Sequence, residues 1–124
     1  MATRSLIGRV VNEGEGKTHI EAIYCHYDGY PAGVGTTLME HYTSAEKVEA
    51  LIKAGSVESL EMNPGTCKPN RTQSVYCGSI NDFTRDADKM GAEWVYLYNN
   101  DEWQVLQVIH AWRPLVDLIS EVTK

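Results

Sequence analysis

The sequence has no long apolar run, few cysteines and no excess of positive charge. No window reaches the roughly 18 consecutive apolar residues that a membrane span needs, and Met1–Ile7 does not lead into the apolar core of a secretory signal. The cysteines, Cys25, Cys67 and Cys77, are odd in number, which predicts free thiols in a reducing compartment rather than a disulfide framework. We therefore expect a cytosolic protein without membrane segments.

The charge balance is acidic. The chain has 11 Lys and Arg residues against 17 Asp and Glu residues, so its formal net charge is −6. This balance excludes a basic nucleic-acid-binding protein, because such proteins use an excess of Lys and Arg to bind phosphates. The length of 124 residues and the hydrophobic fraction of 43% predict one globular domain, residues 1–124. An acidic surface is still able to bind a basic protein partner.

Periodicity divides the sequence into strands and helices. Alternating apolar residues predict strands, and apolar residues three and four positions apart predict helices. Thr43 with Glu46 is typical of a capping box, and Ser79 with Asp82 is typical of a helix start. Gly55 is typical of the residue that follows a helix end. The predicted elements are strands Arg4–Val11 and Thr18–His26 with a long, mobile tip between them, a short helix around Leu38, helix Ser44–Ala54, loop Ser56–Thr72, strand Gln73–Gly78, helix Ser79–Met90, strands Glu93–Tyr98 and Glu102–Val108, and a terminal helix after Pro114.

The order of these elements, ββααβαββα, predicts an α+β fold. It has a hairpin at each end and no repeating βαβ unit. We therefore expect a single domain in which an antiparallel sheet, made of two hairpins plus a short strand, is backed by three to four helices. The loop Ser56–Thr72 is long for a small domain, which predicts either a functional segment or poor order.

The segment Tyr24–Gly35 holds the densest group of chemically versatile side chains. It combines three tyrosines, a thiol, an imidazole and a carboxylate at a strand end, followed by glycines that let the backbone approach another group closely. Ligand or partner sites are commonly built at such positions. The alternative is structural: Asp28 caps a turn, and Tyr24 and Tyr30 are core aromatics with bonded hydroxyls.

Other motifs carry weaker signals. Gly14–Thr18 resembles part of a phosphate-binding loop, but it leads into a strand rather than a helix, so a hairpin tip is predicted. The cysteines and histidines lack the spacing of zinc sites, so no metal and no cofactor is predicted. Cys25 needs a base such as His41 or His110 to act as a nucleophile, because the adjacent His26 points to the opposite face of the strand.

Aromatic residues recur along the first strand of the second hairpin. Trp94, Tyr96 and Tyr98 share one face, whereas Val95 and Leu97 share the other. The aromatic face is either covered as core, which is the expected case, or exposed as a platform for a base or a partner. Guanidinium groups near such a platform can bind a phosphate or carboxylate through two hydrogen bonds. The candidate cations are Arg71, Arg85 and Arg113.

The segment Tyr24–Gly35 also resembles a family of small proteins encoded by bacteriophages and prophages. The resemblance rests on the run Tyr-Cys-His-aromatic-Asp-Gly-Tyr-Pro-x-Gly-Val-Gly. This chain has Tyr27 where the family usually has Trp, and its loop Glu61–Thr72 does not align. The resemblance implies a small accessory phage protein in a bacterial cytosol, and it brings no established activity. The other matching segments are Thr3–Ile7, Leu38, His41–Tyr42, Lys47–Gly55 and Ala92–Tyr98 before Trp103.

Accessory phage proteins of this size often interfere with host defence. We therefore predict a non-enzymatic protein of the host bacterial cytoplasm that sequesters a small anionic, nucleotide-like ligand, with a homo-oligomer helping to close the pocket. One alternative is an acidic inhibitor of a host defence complex, similar to anti-CRISPR proteins, and another is an enzyme that depends on Cys25 and His41. The anionic ligand requires a pocket with an arginine nearby, whereas the inhibitor requires a flat acidic or aromatic face. The predicted ligand-binding residues are Tyr24, His26, Tyr27, Asp28, Tyr30, His41, Arg71 and Arg113; no catalytic residue, membrane contact or nucleic-acid partner is predicted.

Overall fold

The computed structural model describes residues 3–71 and 73–108, together with the backbone of residues 113–114. The predicted terminal helix after Pro114 lies outside these residues. The elements are β1 (Ser5–Gly14), β2 (Lys17–Cys25), a π-helical turn (Pro31–Gly35), α1 (Thr36–His41), α2 (Ala45–Ala54), a 3-10 turn (Pro64–Thr66), β3 (Tyr76–Gly78), α3 (Ile80–Lys89), β4 (Trp94–Asn99), β5 (Glu102–Gln107) and β6 (Arg113–Pro114).

The strands form one mixed sheet. Their order is β3-β2-β1-β4-β5-β6, and both predicted hairpins, β1–β2 and β4–β5, are present. The two hairpins join through a parallel pairing of β1 with β4, in which Leu6 lies opposite Val95 and Gly8 lies opposite Leu97. The α+β class is therefore confirmed, but the expectation of a purely antiparallel sheet is wrong.

The parallel pairing follows from the connection through α3. β3 runs antiparallel to β2 and hence in the direction of β1. α3 then carries the chain back across the sheet, so that β4 starts in the same direction as β1. A helical crossover is the usual connection between parallel strands. The sequence predicts the three elements of this unit, as strand Gln73–Gly78, helix Ser79–Met90 and strand Glu93–Tyr98, but their order alone does not show which strand β4 pairs with.

Both hairpins close with two-residue turns. Glu15 and Gly16 have φ of 53° and 76°, and Asn100 and Asp101 have φ of 52° and 61°. Positive φ at both central residues is the geometry of the type I′ turn, whose twist matches that of the paired strands. The expectation of a long tip between β1 and β2 is therefore wrong, because both strands continue up to the turn itself.

Side-chain caps start α2 and α3. Ser44 Oγ accepts a hydrogen bond from the amide of Lys47 at 3.2 Å, so the cap of α2 is Ser44 and not the predicted Thr43. Ser44 has the extended backbone of an N-cap (φ −122°, ψ 148°), which leaves Thr43 outside the helix. Ser79 Oγ accepts from the amide of Asp82 at 3.2 Å, as the sequence predicts. None of the described helices is long and apolar enough to cross a membrane.

Each face of the sheet has its own core. On one face, side chains of α1 and α2 cover the aromatic residues of β4 and β5, and Tyr96 is fully buried. On the other face, Phe83 and Ala87 of α3 pack against Val95 and Leu97. The aromatic face of β4 is thus a covered core face, as expected. The buried residues of the first core are Ile7, Ile23, Cys25, Val34, Leu38, Tyr42, Val48, Leu51, Ile52, Val57, Tyr96, Tyr98, Trp103 and Val105.

Candidate functional site

The end of β2 is held by the long loop that follows α2. The amide of Val57 donates to the carbonyl of Tyr24 at 2.8 Å, and the amide of His26 donates to the carbonyl of Val57 at 3.2 Å. One residue further, the amide of Tyr27 donates to the carbonyl of Glu58 at 2.8 Å. The predicted site segment is therefore paired along its backbone with residues 57–58.

The loop is itself closed by hydrogen bonds between its two arms. The amide of Glu58 donates to the carbonyl of Lys68 at 2.8 Å, and the amide of Asn70 donates to the carbonyl of Ser56 at 2.9 Å. The Tyr42 hydroxyl donates to the carbonyl of Glu61 at 2.8 Å. Of the two alternatives for residues 56–72, poor order is thus disfavoured for the part that the structure describes.

Residues 27–34, called the tyrosine turn here, fold back on themselves. The amide of Val34 donates to the carbonyl of Asp28 at 2.8 Å, and the amide of Gly33 donates to the carbonyl of Tyr30 at 2.9 Å. Asp28 has a φ of 59°, in the left-handed region that Asp and Asn tolerate better than most residues. A Cβ at Gly33 would lie 2.4 Å from the carbonyl oxygen of Asp28, so the turn requires glycine there.

The tyrosine turn is also hydrogen-bonded to Thr3 and to Tyr96 of β4. The amide of Gly29 donates to the carbonyl of Thr3 at 2.9 Å, and the Tyr96 hydroxyl donates to the carbonyl of Gly29 at 2.6 Å. A Cβ at Gly29 would lie 2.7 Å from the Thr3 carbonyl oxygen, so this glycine permits the close approach. The turn is thus fixed by a bond to Thr3, which precedes β1, and by a buried bond to Tyr96 of β4.

Two predicted site residues form an exposed pair on this turn. The Tyr30 hydroxyl donates to Asp28 Oδ1 at 3.2 Å, and the negative charge of Asp28 raises the pKa of Tyr30. Tyr27 and Tyr30 are 47% and 42% exposed, high values for large aromatic side chains. A cleft of about 220 Å³ lies beside the pair. Its lining residues are Asp28, Tyr30, Ala32, Gly33, Val34, Thr36, Thr37, Ser59 and Leu60.

Three other predicted residues contact one another in sequence at the end of β2. The Tyr24 hydroxyl lies 2.7 Å from His26 Nδ1. The rings of His26 and Tyr27 meet edge to face, with centroids 4.6 Å apart. Tyr24 is only 4% exposed, and burial raises its pKa. Tyr24 is thus a core aromatic with a bonded hydroxyl, which is the structural alternative that the sequence left open.

The predicted cations whose side chains the structure describes do not line the cleft. His41 Nε2 lies 3.7 Å from the carboxylate of its neighbour Glu40 at the end of α1. Arg71 is exposed in the loop after Asn70, and Arg85 pairs with aspartates of α3. The side chain of Arg113 lies outside the described residues. Asp28 therefore contributes the one formal charge among the described lining residues of the cleft.

Cys25 is a buried thiol. Its side chain is fully buried and donates from Sγ to the carbonyl of Tyr27 at 3.4 Å. Burial raises the pKa of Cys25 to about 12, whereas a nucleophilic cysteine needs a lowered pKa. Within residues 3–71 and 73–108, no group of three or more His, Cys, Asp or Glu side chains is placed to hold a metal ion. His110, a proposed partner of Cys25, lies outside the described residues.

No family model, curated protein or solved structure matches this chain.

A second cavity lies at the opposite end of the parallel pair. β1 and β4 separate beyond Arg9 and Tyr98, which are the last residues paired between them. The resulting groove has a volume of about 590 Å³ and is lined by Arg9, amide side chains of both hairpins and the first residues of α2 and α3. Arg9 contacts Glu21 at 2.8 Å and Glu49 at 3.8 Å. The sequence could not indicate this groove, because it exists only through the parallel pairing.

The cleft residues that lie outside the predicted segment Tyr24–Gly35 escape the sequence argument. Thr36 and Thr37 follow the tyrosine turn at the start of α1, where helical spacing is the only signal. Ser59 and Leu60 reach the cleft through the pairing of the loop with β2. No motif in the sequence marks either pair.

Proposed function

We propose that the protein is a non-enzymatic accessory protein of a phage or prophage that binds a host defence protein through the tyrosine turn. The observation that carries this proposal is the exposure of Tyr27 and Tyr30 on a turn whose backbone is fixed to the sheet. The phage origin and the bacterial cytoplasm rest on the sequence resemblance of Tyr24–Gly35.

The rigid backbone of the tyrosine turn favours a docking role. A surface that is already ordered loses less conformational entropy on binding than a mobile loop does. Tyrosine is enriched at the centres of protein interfaces, because its ring buries a large apolar area while its hydroxyl keeps a polar partner. The turn therefore offers two pre-positioned aromatic contacts to a partner.

The charge of the site favours a protein partner over an anionic ligand at this position. The cleft presents the carboxylate of Asp28, and the arginines expected for an anion site are not among its described lining residues. The whole chain carries a net charge of −6, which adds repulsion for an anion. An acidic inhibitor of a host complex agrees better with this arrangement.

The test removes the exposed rings and leaves the fold intact. We expect the Y27S/Y30S variant to lose at least about tenfold in affinity for a protein that wild type captures from lysate of infected bacteria. The matched control is V75S/I80S, since Val75 and Ile80 are exposed to a similar extent, 44% and 41%, away from the turn. The proposal fails if the tyrosine variant captures the same protein as well as wild type, or if wild type captures none.

A small anionic ligand stays a second candidate at the groove beside Arg9. The groove volume of about 590 Å³ lies within the range of small-molecule sites, and Arg9 is the one cation among its described lining residues. An anion there has to compete with Glu21, which the Arg9 guanidinium binds at 2.8 Å, and it meets the carboxylate of Asp101 in the same lining. Native mass spectrometry of protein from infected cells should show a bound small molecule that is absent in R9Q and kept in R85Q, and it also reports the oligomeric state. A ligand that survives in R9Q counts against this site.

A further inference from the structure

We propose that the cleft beside the tyrosine turn receives the ammonium group of a lysine side chain of the partner protein. This inference rests on the proposed function and deepens it, because it names the chemistry that the partner must present. It is carried by the juxtaposition of the Asp28 carboxylate, the Tyr30 ring and a cleft of single-side-chain size.

The charged and aromatic groups of the cleft match a cation. The Asp28 carboxylate is exposed and accepts one hydrogen bond, from the Tyr30 hydroxyl, so it keeps further acceptor positions. The ring of Tyr30 lies beside it, and an aromatic face attracts a cation through its quadrupole. The carboxylate can form an ion pair with an ammonium group, and Tyr30 lines the same cleft as an aromatic side chain.

The neutral groups of the cleft fit the rest of a lysine side chain. Thr36 Oγ1 donates to the carbonyl of Pro31 and Thr37 Oγ1 donates to the carbonyl of Gly33, each at 3.3 Å. Their hydrogens are therefore used, and their lone pairs remain to accept from an ammonium group. Val34 and Leu60 supply apolar surface for the methylene stem.

The size of the cleft argues for one side chain. Its volume of about 220 Å³ is below the roughly 300–1,000 Å³ of typical small-molecule sites. A lysine ends in a compact point charge with three donors, which suits scattered single acceptors. An arginine instead prefers a carboxylate with both oxygens free for a bidentate contact. Here Asp28 Oδ1 already accepts a hydrogen bond from the Tyr30 hydroxyl.

The probe is a short peptide, acetyl-Gly-Lys-Gly-amide, titrated into the ¹⁵N-labelled full-length protein. We expect amide shifts centred on residues 28–37 and weaker binding, by about three- to tenfold, in Asp28→Asn. Asn tolerates the left-handed backbone of position 28, so this variant should keep the turn. The matched control is Glu40→Gln, because Glu40 is an exposed carboxylate of α1 outside the cleft lining.

Several outcomes overturn the inference. If a peptide with norleucine in place of lysine binds equally well, the charge of the ammonium group has no role in binding. The inference is also wrong if the dissociation constant is unchanged in Asp28→Asn or if no amide of residues 28–37 shifts. It is equally wrong if a glutamate peptide causes stronger shifts at these residues.

The result also separates this inference from the proposed function. If Asp28→Asn still captures the protein partner and Y27S/Y30S does not, the lysine contact is wrong and the docking role stands. If Y27S/Y30S keeps the partner, the docking role is wrong whatever the peptide does.

Discussion

Gly33 lies where a side chain would meet the backbone of the tyrosine turn. A Cβ there would stand 2.4 Å from the Asp28 carbonyl oxygen, and that oxygen cannot move away without losing the hydrogen bond from Val34. We therefore expect Gly33→Ala to lower the free energy of unfolding by about 1–3 kcal/mol, the usual cost of overpacking. Urea unfolding at neutral pH measures this.

The control for this substitution is Gly65→Ala. A Cβ at Gly65 would meet no atom within 4 Å, so its replacement should change stability little. Equal effects of the two substitutions would show that the turn is not as tightly closed as its hydrogen bonds indicate.

At the scale of elements, Ser56 joins the loop to the edge of β2. Its Oγ accepts from the buried amide of Tyr24 at 3.0 Å, and Ser56 is 5% exposed. Ser56→Ala leaves this amide without its acceptor, so we expect a loss of about 1–3 kcal/mol in stability. Faster hydrogen exchange at the Tyr24 amide should accompany the loss. Ser74→Ala, at an exposed serine, is the control, and a comparable loss there would contradict the assignment.

Local features of these elements could be predicted from the sequence, and contacts between distant elements could not. The bounds of α3 follow from Ser79 and Gly91, because caps and periodicity act over a few positions. The parallel β1–β4 pairing and the folding of residues 56–71 against β2 depend on long-range packing that no local pattern encodes. The cleft shows both cases, since Asp28 and Tyr30 come from the predicted segment and Leu60 does not.

At the scale of the whole molecule, buried acids make stability sensitive to alkaline pH. Burial raises the pKa of Cys25 from 9.0 to about 12, and it raises the pKa values of Tyr42 and Tyr96 above the ordinary 10.0. In the unfolded chain these groups ionise at their ordinary values, whereas in the folded chain they stay neutral. The contribution of these groups to the free energy of unfolding should therefore be constant well below pH 9.0 and fall as the pH rises from 9.0 towards 12.

Urea midpoints across this pH range measure the effect. Cys25→Ala should reduce the slope of stability against pH above 9.0, whereas Cys77→Ser should not, because Cys77 is exposed. A slope that is the same in both variants would assign the alkaline loss to other groups.

The parallel junction between β1 and β4 also has a consequence for how the chain is made. β1 is synthesised well before β4, so on the ribosome the β1–β2 hairpin must wait with the backbone N–H and C=O groups along one edge of β1 unpaired. Contacts between such distant segments slow folding, because a long stretch of chain has to be closed before they form. The nascent protein is therefore exposed to aggregation through the edge of β1 until β4 has emerged, and it is at this stage that a chaperone would bind it.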